Sequence, residues 1–284
     1  MSTPNDKVSP SVYIKRRYIW QPGGLRLLRE AAWSQYAQRA VAPIVNGMHI
    51  EFPETETALG FCVKTTTRRL EGPSLLSLLY DPCHQTAAVD MGMTVLEAFH
   101  SANLDSAPSD LFGWVFRWFK GLRLIVRTAF DASSLSDTER KELRRLVARY
   151  VLGKTGSRVL VHGDLHASHV LVDSDNRTFG IIDLETMHIG KAATNFAQLW
   201  DGYHHADPAL GQQLYRRYAD QYPGEMDEQF DDDLRLEAAL RSHTHIRAGR
   251  LTGNTLLVDK AQHLLHGVLS GVSFQSLCTE RKPS

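Results

Sequence analysis

Short runs of strand-forming residues open this chain, and stretches with apolar residues every three or four positions follow them. The run over 11–18, Ser-Val-Tyr-Ile-Lys-Arg-Arg-Tyr, has the β-branched and aromatic content of a strand, and Pro22-Gly23-Gly24 predicts a turn after it. Leu25, Leu28, Ala32, Trp33 and Tyr36 then recur at helical spacing, which predicts a helix over 25–41. The runs over 48–52 and 58–64, separated by acidic and proline-containing residues, predict a hairpin. Arg69-Leu70-Glu71-Gly72-Pro73-Ser74-Leu75 reads as a joint, with Ser74 able to cap the apolar helical face that begins at Leu75.

Helical periodicity dominates beyond the joint. It predicts helices over 86–100, 110–130 and 138–152, the second carrying Trp114, Phe116, Trp118, Phe119, Leu122, Ile125 and Val126 as a core face. From residue 194 onward the pattern is again mainly helical, interrupted at Tyr222-Pro223-Gly224. The acidic run Asp227, Glu228, Asp231, Asp232 and Asp233 reads as a solvated helix start, since carboxylates favour the first turn; attraction of a cationic substrate is the alternative.

Composition narrows the classes. The 284 residues, 43% hydrophobic, suffice for one substantial core or two small lobes. Lys plus Arg equals Asp plus Glu at 32 each, so no global field favours nucleic acid or an anionic membrane, though a local basic patch and a peripheral membrane contact stay open. Cys62, Cys83 and Cys278 match neither a disulfide framework nor a zinc pattern, and Cys62 reads as a buried small hydrophobe. Residues 1–10 lack the apolar centre of a signal peptide, and no stretch is long and apolar enough to span a bilayer, so a cytoplasmic location is expected. Oligomeric state is not set by any of these features.

The chemistry is concentrated in His162-Gly163-Asp164-Leu165-His166-Ala167-Ser168-His169-Val170-Leu171-Val172 and Ile181-Ile182-Asp183-Leu184-Glu185. Predicted strands over 158–161, 170–172 and 179–182 place Asp164, His169 and Asp183 at neighbouring strand ends, where a loop can bring them around one ion. Phosphoryl transfer fits this set, because its catalysis is mostly positioning and charge stabilisation. Asp164 would orient or accept the proton of an attacking hydroxyl, and His162 would brace the loop. Asp183 would hold Mg²⁺ on the nucleotide phosphates, with His169 as a second ligand or phosphate contact, although imidazole suits Mg²⁺ less well than oxygen does. Taken singly, each His is more commonly a structural hydrogen bonder, and an Asp after a strand a turn residue. A hydrolytic metal site of His162, His166 and His169 with Asp164 is another reading, but no HExxH pattern occurs and Asp183 would be left without a purpose.

His162-Gly163-Asp164-Leu165-His166-x-x-His169-Val170-Leu171-Val172 with Ile182-Asp183 resembles the catalytic and metal-binding segments of the protein-kinase-like small-molecule phosphotransferases. These include aminoglycoside and macrolide phosphotransferases, choline kinase and the lipopolysaccharide core kinases. The segment Ile182 to Glu185 with Gly190-Lys191 and Phe196-Ala197-Gln198-Leu199 is more similar to the lipopolysaccharide branch, whereas the inserted helical stretch over 110–156 suits the antibiotic kinases. The resemblance implies an α+β, two-lobed fold: a reduced N-terminal nucleotide-binding lobe over 1–70 and a large, mostly helical catalytic and acceptor-binding lobe over 71–284. It implies a kinase moving the terminal phosphate of ATP, with Mg²⁺, to a hydroxyl of a small molecule or glycolipid sugar. Lys15 and Glu30 would form the ion pair that positions the phosphates, Arg69, Leu70 and Glu71 would lie in the hinge that receives adenine, and Leu96 to His100 resembles the helix end preceding the catalytic loop.

Two departures stand out. Only eleven residues precede Val12, so the strands and Gly-rich turn that normally cover ATP are expected to be missing, which means a reduced lobe, a phosphate clamp from elsewhere, or a lost start. Asn195 stands where related chains commonly carry an Asp that braces the loop; an amide could keep the hydrogen bonding without the charge. The rival to an active kinase is a catalytically degraded, kinase-like binding or scaffold protein.

Overall fold

The computed structural model describes residues 12–18, 22–59, 62–68, 70–105, 107–108, 122, 135–152, 158–173 and 177–279. The chain begins with β1 (Val12–Tyr18), α1 (Pro22–Ala40), β2 (Ile44–Val45), β3 (Met48–Glu51), β4 (Thr55–Leu59) and β5 (Cys62–Arg68). Pro22-Gly23-Gly24 is the first turn of α1 and not a separate turn. Proline is tolerated there because the first helical N–H has no intrahelical partner anyway. The hairpin predicted from 48–52 and 58–64 is not formed. β5 instead takes β1 on one side and β4 on the other, all antiparallel. β3 pairs antiparallel with β2 through Asn46-Gly47, both at positive φ as a two-residue hairpin turn needs, and parallel with a strand more than a hundred residues later.

After the joint come α2 (Leu75–Leu79), α3 (Gln85–His100) and α4 (Asp137–Leu152). Ser74 caps α2, its hydroxyl accepting the Ser77 N–H. The helix predicted over 110–130 lies outside the described residues except for Leu122. β6 (Arg158–Val161), β7 (Val170–Val172), β8 (Thr178–Ile181) and β9 (His188–Lys191) follow, and then the helices α5 (Ala192–Ala206), α6 (Pro208–Gln221), α7 (Glu228–Thr252), α8 (Thr255–Leu269) and α9 (Phe274–Thr279). β7 and β8 form a hairpin, β8 carries β3 on its other edge, and β6 pairs with β9. The fold is therefore α+β: small sheets with a predominantly helical remainder.

Helix α5 occupies the centre of the helical part. Every residue from Ala192 to Tyr203 is buried, so the helix meets protein on all sides. Phe196, Trp200 and Tyr203 fill space against Tyr218, Phe274 and α3. Its buried polar residues then have to find partners inside the molecule, and several find them at the β6–β7 loop.

The acidic run is only partly a solvated helix start. Asp227 caps α7, accepting the Phe230 N–H, but Asp232 and Asp233 are buried. Arg145 and Arg149 of α4 and Arg235 of α7 surround Asp232, and Lys191 of β9 reaches Asp233 at 2.8 Å. Arg235 stands three residues on along the same helix, but sequence periodicity carried no sign of Arg145, Arg149 or Lys191, which come from other elements.

Candidate active site

The loop from β6 to β7 is held by its own side chains and by α5. Gly163 has φ +85°, and a Cβ there would come within 2.3 Å of the Thr186 carbonyl oxygen, so glycine alone allows the loop to cross residue 186. His162 is fully buried, and burial pushes its imidazole down to about 4. Neutral, it donates from Nε2 to the Ile182 carbonyl at 2.9 Å and accepts the Asp164 N–H at Nδ1 over 3.2 Å. One ring thus links the loop to the strand that delivers Asp183. Both its nitrogens are committed, which removes it from any hydrolytic His162–His166–His169 metal set.

Asp164, His169 and Asp183 converge. Their ligand atoms all lie within 4.8 Å of one another. His169 donates from Nδ1 to the Asp164 carbonyl at 2.8 Å, which leaves the Nε2 lone pair facing Asp183 Oδ2 at 3.8 Å. Asp183 sits in left-handed backbone at φ 64° and ψ 57°, a conformation costing a non-glycine residue roughly 1 kcal/mol and tolerated best by Asp and Asn. Such strain persists where surrounding structure enforces it, and here it turns a carboxylate toward the loop.

Asp164 has a partner that sequence reasoning missed. Arg241 of α7 donates to its Oδ1 at 2.8 Å. Burial would raise the Asp164 carboxyl, but Arg241 and the His169 ring outweigh it and leave it below the usual carboxylate range. Oδ2 lies 3.9 Å from His169 Nδ1. The carboxylate is thus ionised, with one oxygen held by a cation and the other turned toward the cluster.

Three further residues fix the loop. Asn195 accepts the His162 N–H at Oδ1 and donates from Nδ2 to the Leu160 carbonyl. Gln198, one turn on, accepts the Leu165 N–H and donates to the Gly163 carbonyl. Arg29 of α1 donates to the Glu185 and Met187 carbonyls, clasping the turn after Asp183. The i, i+3 spacing of Asn195 and Gln198 among apolar neighbours was the available signal for the first two; nothing in the spacing marked Arg29 or Arg241.

The residues assigned through resemblance are placed as follows. Glu30 is half-buried on α1, and the Lys15 side chain and Arg69 lie outside the described residues. Leu70 lies against Gly180 of β8, and Glu71 is exposed. The joint runs along β7, the Val172 N–H bonding to the Pro73 carbonyl at 2.9 Å.

The model of the phosphotransferase enzyme family matches residues 21–228, most of the chain. The chain belongs to the phosphotransferase enzyme family. No curated protein matches it. Among solved structures it is similar to a thermostable mutant of aminoglycoside phosphotransferase APH(4)-Ia in ternary complex with ADP and hygromycin B. That likeness has a TM-score of 0.55 at 16% identity and covers 86% of this chain and 84% of that one. The gentamicin–APH(2″)-IIa complex has a TM-score of 0.54 at 16% identity over 89% and 84% of the two chains. The GDP complex of an aminoglycoside 2′-phosphotransferase-IIIa mutant gives 0.55 at 16% over 87% and 81%. At these identities the likeness is one of fold.

Membership of the phosphotransferase enzyme family agrees with the kinase reading of the sequence and with its α+β, kinase-like fold. Among the described residues no helix is long and apolar enough to cross a membrane. Within this phosphotransferase-family chain, the segment expected to carry chemistry is also where strain, buried polar bracing and converging carboxylates coincide.

Proposed function

We propose that this protein transfers the terminal phosphate of ATP to a hydroxyl of a small molecule, with Asp164 as the base. The observation that carries the reading is the convergence of Asp164, His169 and Asp183 on a loop whose backbone is bonded at almost every residue. The ADP and GDP bound in the structural neighbours support a nucleotide donor, and their bound hygromycin B and gentamicin favour a small polyhydroxylated acceptor over a glycolipid sugar. The nucleotide would lie between residues 1–70 and the remainder, with Leu70 and Glu71 near the base.

Asp164 Oδ2 takes the proton of the acceptor hydroxyl as its oxygen forms the new bond to phosphorus and the bond to the nucleoside diphosphate breaks. Arg241, by holding Oδ1, keeps the carboxylate oriented and ionised. Asp183 and His169 would hold Mg²⁺; the carboxylate oxygen fits a hard cation, and the imidazole Nε2 is the weaker match of the two. When bound, that ion neutralises charge on the phosphates. His162, Asn195 and Gln198 keep the loop still through these events.

Labelled ATP incubated with a panel of hydroxylated acceptors, aminoglycosides included, is expected to give a phosphorylated product. Asp164→Asn should lower turnover by about 100- to 10,000-fold while nucleotide binding survives. Asp183→Ala should instead weaken Mg²⁺-dependent nucleotide binding. Unchanged turnover in the first variant removes Asp164 from the role, and nucleotide binding without product across the panel favours a scaffold.

A further inference from the structure

We propose that Asp201, His205 and His245 form a second metal site, of the zinc class, distinct from the Asp164–His169–Asp183 cluster. Asp201 and His205 stand one turn apart on α5, and His245 comes from α7, so two helices close on one point. Their ligand atoms all lie within 4.8 Å of one another. The two imidazole rings meet edge to face with centroids 4.5 Å apart.

The cluster is incompletely satisfied as it stands. Asp201 is 1% exposed, and a buried carboxylate is costly unless both oxygens find partners. Its Oδ2 accepts from His245 Nε2 at 2.8 Å. Its Oδ1 is buried without a hydrogen bond, and so is His205 Nε2, which lies 3.4 Å away in a geometry that makes none. An oxygen and a nitrogen lone pair on α5 thus lie side by side without a partner, and His245 faces them from α7. A tetrahedral ion with bonds of about 2.0–2.2 Å separates its ligand atoms by about 3.3–3.6 Å. The Oδ1–His205 pair at 3.4 Å already has that spacing, and the 2.8 Å hydrogen bond from His245 to Oδ2 is the contact the ion would replace.

Donor chemistry selects the ion. Two imidazole nitrogens and one carboxylate suit zinc with a fourth position open, and suit Mg²⁺ poorly. Both imidazoles are partly exposed, which leaves a way in from solvent. Binding through Nε2 requires His245 to give up the proton it now directs at Asp201 and to take one at Nδ1, so a neutral ring releases no net proton. The site is also coupled to the loop by position. Arg241 precedes His245 by one turn of α7, and Gly202, next to Asp201, lies against Ala167.

The test uses the full chain, stripped with a chelator and titrated with ZnCl₂ by calorimetry. One equivalent should bind, and X-ray absorption of the loaded protein should count two imidazoles at zinc. His205→Gln and His245→Gln should each weaken binding by about 100-fold or more, beyond what loss of an outer partner costs. Asp183→Ala should leave it intact. No saturable binding, a count of one imidazole or none, or loss of binding in Asp183→Ala with retention in the histidine variants would overturn the assignment. The imidazole count needs no variant, so misfolding of a substituted chain does not blunt the test.

Discussion

Arg241 donates to Asp164 Oδ1 over 2.8 Å, tying α7 to the β6–β7 loop across 77 residues of sequence. The pair sets the charge state of the proposed base. Removing the guanidinium leaves burial, which raises a carboxyl, opposed only by the weaker remaining influences.

Arg241→Ala is therefore expected to move the acidic limb of the rate profile. The base works when ionised, so a raised Asp164 pKa shifts that limb to higher pH and lowers the rate most at acidic pH. Arg241→Lys should shift it less, because the charge stays while the fork geometry is lost. The pH dependence of kcat/KM for whichever acceptor is phosphorylated checks this; a limb that does not move would separate Arg241 from the base.

Asn195 is an amide for a reason the hydrogen bonds make plain. Its Nδ2 donates to the Leu160 carbonyl while its Oδ1 accepts from His162. A carboxylate could keep only the second bond and would face a carbonyl oxygen with the other, fully buried. Asn195→Asp should cost about 2 kcal/mol or more in urea unfolding, comparable to Asn195→Ala. Unaltered stability of the Asp variant would contradict this account.

The charges around Asp232 hold α4 to α7. Arg145, Arg149 and Arg235 all reach this buried carboxylate, and Arg235 and Arg145 both also reach Glu142. Asp232→Ala removes the partner these three share, while Arg145 and Arg235 keep Glu142 and Arg149 keeps Glu228, so with two of the arginines partly in solvent it should cost about 1–3 kcal/mol. Thermal unfolding of the variant beside the parent measures it, and a loss below about 1 kcal/mol would show these pairs to be no more than surface ion pairs in effect.

His100 supplies a pH dependence of stability away from the site. Its two ring nitrogens are buried without hydrogen bonds between Tyr218 and Tyr222, and burial pushes it down to about 4. An unfolded chain takes up a proton near pH 6.5 and the folded one does not until about 4, so stability conferred by the neutral ring is full above 6.5 and lost as pH falls toward 4. His100→Phe keeps the aromatic contacts and should remove up to about 3 kcal/mol of that slope. Denaturant midpoints between pH 4 and 7 in both proteins report it; parallel curves would exclude the contribution.

Some of what the tertiary structure uses was written locally. Ser74 as a cap, the helices predicted over 86–100 and 138–152 and found within one residue of those bounds, and the order of strand, polar loop, strand, strand and acid around Asp164 and Asp183 all follow from spacing and residue type. The Asn46-Gly47 turn was equally legible as a two-residue hairpin signal, yet the acidic residues after Phe52 drew the hairpin to the wrong pair of runs. There the local pattern held the answer and a competing pattern obscured it.

By itself the sequence determined where chain segments become strand or helix and which residue types stand at the loop after β6, because periodicity, caps and turn residues act within a few positions of themselves. Only the tertiary structure decided that β3 lies beside β8, that Arg241 meets Asp164, that Asp232 is buried against Arg145 and Arg149 of α4, and that His245 faces Asp201. Those partners stand 44 to 129 residues apart, as Asp201 is from His245 and as His49 is from Thr178. Contact at that range is set by how helices and sheets fill one core, which no local spacing encodes.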